Sequence, residues 1–131
     1  MAWLGNCIGA LGISGKYGEI SESSIESALD VIFEHYDFLD TATVYGEGFS
    51  FNELLAKRWL SSHIGLPKLI NKYGANLPTE QDASALIKEF EDDIELFKGY
   101  LPDVIMLHRP NINVFERDLN FFKYLEPQIG D

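Results

Sequence analysis

The sequence predicts an α/β domain with a parallel sheet, a partial TIM (β/α)₈ barrel of about four βα units. Three observations carry that expectation. A short apolar run, a loop and an amphipathic helix follow one another four times along the 131 residues. Short apolar strands separated by helices cannot pair as hairpins, so they read as parallel strands joined by right-handed crossovers. The polar residues that close successive runs are evenly spaced, 32 residues from Asp40 to Lys72 and 36 from Lys72 to His108. A doubly wound sheet is the competing architecture. Its dinucleotide-binding form needs G-x-G-x-x-G after the first strand, and Gly9-Ala10-Leu11-Gly12 does not supply it.

The first apolar run, rich in glycine, lies near Leu4 to Ile13. A helix from about Ser21 to Tyr36 follows, with Ile25, Ala28, Leu29, Ile32 and Tyr36 on one stripe. Ser21 is its expected N-cap, because a side-chain oxygen there accepts an orphan backbone N–H. The second strand is Asp37–Thr41, and a loop through Tyr45-Gly46-Glu47-Gly48 leads to a helix from about Ser50 to Ser61. Ser50 and Glu53 fit a capping box. The third strand is Lys68–Lys72, followed by a helix from about Asp82 to Lys98 with Leu86, Ile87, Phe90, Ile94, Phe97 and Leu101 expected inward. The fourth strand, Asp103–Leu107, runs into His108-Arg109-Pro110, and a last helix runs from near Asn113 to Leu125, where Pro127 is expected to stop it. One domain over residues 1–131 accounts for all of this.

Composition narrows the function classes. Ten basic against twenty-one acidic residues give a net charge of −11. Such a surface repels phosphate backbones and anionic lipid, which disfavours nucleic acid and membrane partners. No apolar stretch is long enough to span a bilayer, and the start lacks a basic segment followed by a long apolar one, so no secretory signal is expected. Cys7 is the single cysteine and cannot form an internal disulfide. A cytoplasmic setting fits.

In a barrel of this kind, chemistry sits where the strands end at their C-terminal face. Read in order, those ends carry Asp40, then Tyr45 just beyond, then Lys72, then His108. Four ionisable groups at corresponding topological positions are hard to explain by packing. Other residues have simpler readings. His35 and His63 sit near helix ends, where a cation is favourable. Cys7 is expected to be packed in the first strand, Arg109 to be a structural partner, and Glu53 to be explained by the cap.

Three stretches carry a family resemblance. Phe38-Leu39-Asp40-Thr41-Ala42-Thr43-Val44-Tyr45-Gly46 is similar to the aldo-keto reductase signature of aspartate, Thr-Ala, two residues, then Tyr-Gly. Leu69-Ile70-Asn71-Lys72-Tyr73-Gly74 resembles that family's strand ending in lysine, and Val104-Ile105-Met106-Leu107-His108-Arg109-Pro110 its Leu-His-x-Pro strand end. The three come in order, and the similarity as a whole covers the chain from Gly9 to about Leu125. The resemblance implies NADPH-dependent reduction of a small-molecule aldehyde or ketone to an alcohol. Tyr45 would be the general acid and Lys72 the cation that eases its proton loss. Asp40 would pair with Lys72 and face the cofactor, and His108 would donate to the carbonyl oxygen. No metal is implied.

A full barrel runs to about 250 residues. The resemblance places most cofactor contacts on strands five to eight, so Asp40 and, less surely, the glycine-rich first strand are what this chain contributes to the NADP site. A domain truncated after the fourth βα unit would present two unpaired edges and an inner face that a closed barrel buries. Self-association or a complementary half-barrel is therefore expected. The alternatives to a reductase are a non-catalytic half-barrel fragment and a regulatory or binding module of the same family.

Overall fold

A computed structural model describes residues 5–46, 51–62, 65–77 and 80–129. Strands β1 (Cys7–Gly9), β2 (Phe38–Ala42), β3 (Lys68–Tyr73) and β4 (Val104–Leu107) alternate with helices α1 (Glu22–His35), α2 (Phe51–Ser61), α3 (Ser84–Leu96) and α4 (Phe115–Leu125). The strands form one sheet in the order β1-β2-β3-β4, every neighbouring pair parallel. Sequential order with a helix in each crossover is the simplest product of repeated βα units. No helix among the described residues is long and apolar enough to cross a membrane.

Register divides the strand residues between two faces. Leu39 pairs with Ile8 and Leu69, and Tyr73 with Leu107, so this row points to the helices. Leu39 and Leu69 pack with Ile25, Leu29, Ile32, Leu55 and Trp59 from α1 and α2. Tyr73 packs with Leu86, Phe90, Phe121 and Leu125 from α3 and α4. The other row holds Gly9, Asp40, Ile70 and Val104, then Ala42, Lys72 and Met106. That face is thinly covered: Ile70 and Val104 are half-buried, and Met106 is 44% exposed. All the described helices of the two core clusters lie on one side.

Hydrogen bonds pin both ends of the strands. At the start, Asp37 Oδ2 accepts the Asn6 N–H at 2.9 Å, and Asp103 Oδ2 accepts the Leu69 N–H at 2.8 Å. At the far end, the Thr43 N–H donates to the Lys72 carbonyl at 3.2 Å and the His108 N–H to the Tyr73 carbonyl at 2.8 Å. Locking both ends matters because a one-residue slip would move every side chain to the opposite face.

Most expected boundaries hold within two or three residues, and Ser21 caps α1 by accepting the Ser24 N–H at 3.2 Å. The first apolar run is corrected: only Cys7–Gly9 is strand, and Ala10–Ile13 turns as a 3₁₀ helix. The last helix likewise opens with a 3₁₀ turn at Ile112–Val114 and closes through another at Glu126–Gln128, so Pro127 tightens the end rather than cutting it off. Leu101, expected inward, is 39% exposed. The helical stripe cannot reach it, since α3 ends at Leu96 and Lys98 and Gly99 adopt positive φ of 53° and 89°. Cys7 is also corrected. It is exposed and free, because β1 is an edge strand and Cys7 pairs with Phe38 on the thinly covered face. The Ser50 cap and His63 lie outside the described residues.

Candidate active site

The C-terminal ends of the strands bring the four expected residues together. Asp40 lies inside β2 and Lys72 inside β3, one strand apart on the thinly covered face. Register pairs Lys72 with Ala42, two residues beyond Asp40, and the lysine stem leans back to form an ion pair with Asp40. The pair is partly sheltered, with the Lys72 side chain 15% and the Asp40 side chain 36% exposed.

Tyr45 arrives from a tight turn. Its N–H donates to the Ala42 carbonyl at 3.1 Å, and Gly46 follows with φ of 108°, a conformation that side chains rarely tolerate. The turn swings the half-buried phenol back over the strand ends, where Lys72 Nζ stands 5.4 Å from its ring centroid. The ammonium meets the face of the ring, a cation–π arrangement. His108 approaches from β4, its imidazole perpendicular to the Tyr45 ring at 87° with centroids 6.2 Å apart.

His108 is held below the ordinary imidazole range, first by burial, then by the charges of Lys72 and Arg109. It is therefore neutral at pH 7. Its Nδ1 is enclosed without a hydrogen-bond partner among the described residues. An enclosed lone pair is less costly to leave unanswered than an enclosed N–H, which favours the tautomer with the proton on Nε2. That tautomer is a donor toward a ligand. Tyr45 and His108 line a cleft of about 560 Å³ together with Ser14, Lys16, Asn76 and Arg109, a volume ordinary for a small-molecule site. Asp40 and Lys72 stand behind the lining and reach it through Tyr45.

Two acidic residues that sequence reasoning missed hold this arrangement. Glu89, on α3, accepts the Thr43 hydroxyl at 2.5 Å and the Gly74 N–H at 2.8 Å. It thus ties the residue two before Tyr45 to the residue two after Lys72. Gly74 itself turns with φ of 87°, and a Cβ there would stand 3.2 Å from Leu86. Asp93, one helical turn further, accepts Asn52 at 2.8 Å, Asn71 at 2.9 Å and the Tyr73 hydroxyl at 2.7 Å. Burial, more than anything else, pushes its carboxyl up to about 6, while its three donors pull the other way. The Tyr73 hydroxyl is raised by burial and then by Asp93. Asn71 and Tyr73 flank Lys72 in sequence, so α2 and α3 grip β3 on either side of the lysine.

Arg109 was expected to be a structural partner. It is exposed, lines the cleft, and makes no ion pair among the described residues. His35 ends α1 in solvent, 3.9 Å from Glu34.

The chain matches no protein-family model, and no curated protein matches it.

Proposed function

We propose that this chain carries the catalytic residues of an NADPH-dependent carbonyl reductase of the aldo-keto reductase type, built on a partial (β/α)₈ barrel. The observation that carries the reading is the meeting of Tyr45, Lys72, Asp40 and His108 at one end of the parallel sheet. In this reading a substrate carbonyl oxygen sits in the cleft between the Tyr45 hydroxyl and the His108 imidazole. Neutral His108 donates a hydrogen bond that orients the carbonyl and stabilises charge building on oxygen. Tyr45 delivers the proton that completes the alcohol. Lys72, against the ring, stabilises the negative charge left on the phenol, and Asp40 anchors the ammonium.

A nicotinamide would supply the hydride. Asp40 is the residue here that would face it, and the neighbouring Gly9 has open space where a side chain would stand. The edges β1 and β4, unpaired among the described residues, and the half-exposed inner row support closure of the sheet against further strands. Sedimentation showing a compact monomer that unfolds cooperatively on its own would refute that part. A reducing cytoplasm is consistent with free, exposed Cys7.

The test of the reading is loss of NADPH absorbance with an aromatic ketone. Tyr45→Phe is expected to lower the rate by about 10²–10⁴-fold, the range for removing a general acid, while cofactor affinity stays within about twofold. A Tyr45→Phe chain that keeps most of its rate would refute the role assigned to the phenol.

A further inference from the structure

The chain carries twice as many acids as bases, yet the lining of the cleft inverts that balance. Lys16 and Arg109 line it, and no carboxylate does among the described residues. The three arginines also differ in what answers them. Arg58 is taken by Asp30 at 2.5 Å, and Arg117 by Asp118 at 2.9 Å. Arg109 makes no ion pair among the described residues. In a protein with a surplus of carboxylates, a guanidinium left unanswered at a cleft wall marks a place kept for an incoming anion.

Local backbone holds this guanidinium near the chemistry. Arg109 directly follows His108, whose N–H is fixed to the Tyr73 carbonyl at 2.8 Å. Pro110 restricts the Arg109 backbone to extended conformations. Arg109 also lines a second, smaller hollow of about 180 Å³ with Gly74, Asn111 and Arg117, where Asp118 answers the Arg117 charge. His108, lowered first by burial, is pushed the same way by the charges of Lys72 and Arg109 and the opposite way by Glu89 and Asp40.

We infer that the substrate is a carbonyl compound bearing an oxyanion, a carboxylate or a phosphate, held by Arg109 while its carbonyl faces Tyr45 and His108. The orientation of the carbonyl rests on the reductase reading above; the preference for an anion rests on the cationic lining. A planar guanidinium matches a carboxylate or phosphate with two parallel hydrogen bonds, which fixes the ligand's direction as well as its affinity. The surrounding acidic surface slows the approach of anions, so this selectivity belongs to the cleft and not to the protein at large.

Calorimetric titration with para-acetylbenzoate and its neutral analogue para-acetylbenzamide separates the possibilities. The benzoate is expected to bind about tenfold or more tightly than the amide, the scale of one charge-assisted contact. The difference should shrink as salt rises. Arg109→Gln should erase it while leaving the amide's affinity unchanged, and Arg109→Lys should restore part of it. Para-acetylphenyl phosphate, run alongside, decides between carboxylate and phosphate. Equal affinity for the two ketones, binding of neither, or a preference that survives Arg109→Gln overturns the inference. Oxidation of NADPH is followed separately: its absence with every ketone sinks the reductase reading, yet the binding preference still decides the anion site.

Discussion

Two aspartates, Asp40 and Asp93, sit on opposite faces of the same sheet and are treated in opposite ways. Asp40 shares the thinly covered face with Lys72, a full counter-charge at the edge of solvent. Asp93 comes from α3 into the helix-covered side, where Asn52, Asn71 and the Tyr73 hydroxyl answer it with three neutral donors. A charge meant to act on a ligand must stay within reach of it, and a place beside a partner ion near water allows that. A carboxylate meant to join helices needs many directional bonds and little net charge. The two faces therefore divide function from cohesion, and the division can be tested by removing one aspartate at a time.

The largest effect on stability is expected from the covered face. Asp93→Ala leaves three buried donors without an acceptor and opens a void between α2, α3 and β3. The loss is expected to be about 3 kcal/mol, read by urea unfolding. A loss below about 1 kcal/mol would show that water or repacking replaces the carboxylate. The open face reverses the pattern. Asp40→Asn removes the counter-charge of a partly exposed pair, so stability should change by no more than about 1 kcal/mol. The rate of carbonyl reduction should fall about 10²-fold, because Lys72 loses its anchor beneath Tyr45. Comparable losses of stability from both substitutions would break the division.

Acid titration sharpens the same contrast. Burial raises the Asp93 carboxyl to about 6, with Glu89 adding to the rise, against about 3.9 in an unfolded chain. Between those values the folded protein holds a proton that the unfolded chain has released. Asp93 therefore contributes stability in full below about pH 4, and that contribution is lost as pH rises through about 6. The size is on the order of 3 kcal/mol. The difference between wild type and Asp93→Asn, measured from pH 4 to 7, should show this downward slope. A flat difference would mean that the three donors keep Asp93 ionised.

Much of the open face was legible in the sequence, because its chemistry follows strand ends. Asp40, Lys72 and His108 each close an apolar run, and the strand period alone puts them at one rim. The covered face was harder to read. Asp93 belongs to the run Glu89-Phe90-Glu91-Asp92-Asp93-Ile94-Glu95, where it resembles any solvated helix acid. Yet it stands seven residues after Leu86 and three after Phe90, on the buried stripe itself. An acid on that stripe, opposite a strand that alternates Asn71 with Leu69 and Tyr73, is the signal that could have found it. Arg109 was hard to read for a different reason: sequence shows a basic residue, but not whether an acid nearby has taken it. Leu101 was misplaced because a helical period cannot foresee the positive φ at Lys98 and Gly99 that ends it.

The smallest effect is expected where both partners of an ion pair face water. Arg58 joins Asp30 across α1 and α2 through Nε at 2.7 Å and a second nitrogen at 2.5 Å. On geometry alone this two-pronged contact is a close one. Arg58 holds the Asp30 carboxyl below its usual range, chiefly by hydrogen bonding. The side chains are nonetheless 38% and 51% exposed, so water and salt answer each charge nearly as well as its partner does. Asp30→Asn should leave the urea midpoint within experimental error, and the reduction rate unchanged. If it cost as much as Asp93→Ala, solvent exposure would not be what separates the aspartates of this fold, and the contrast between the two sheet faces would need another cause.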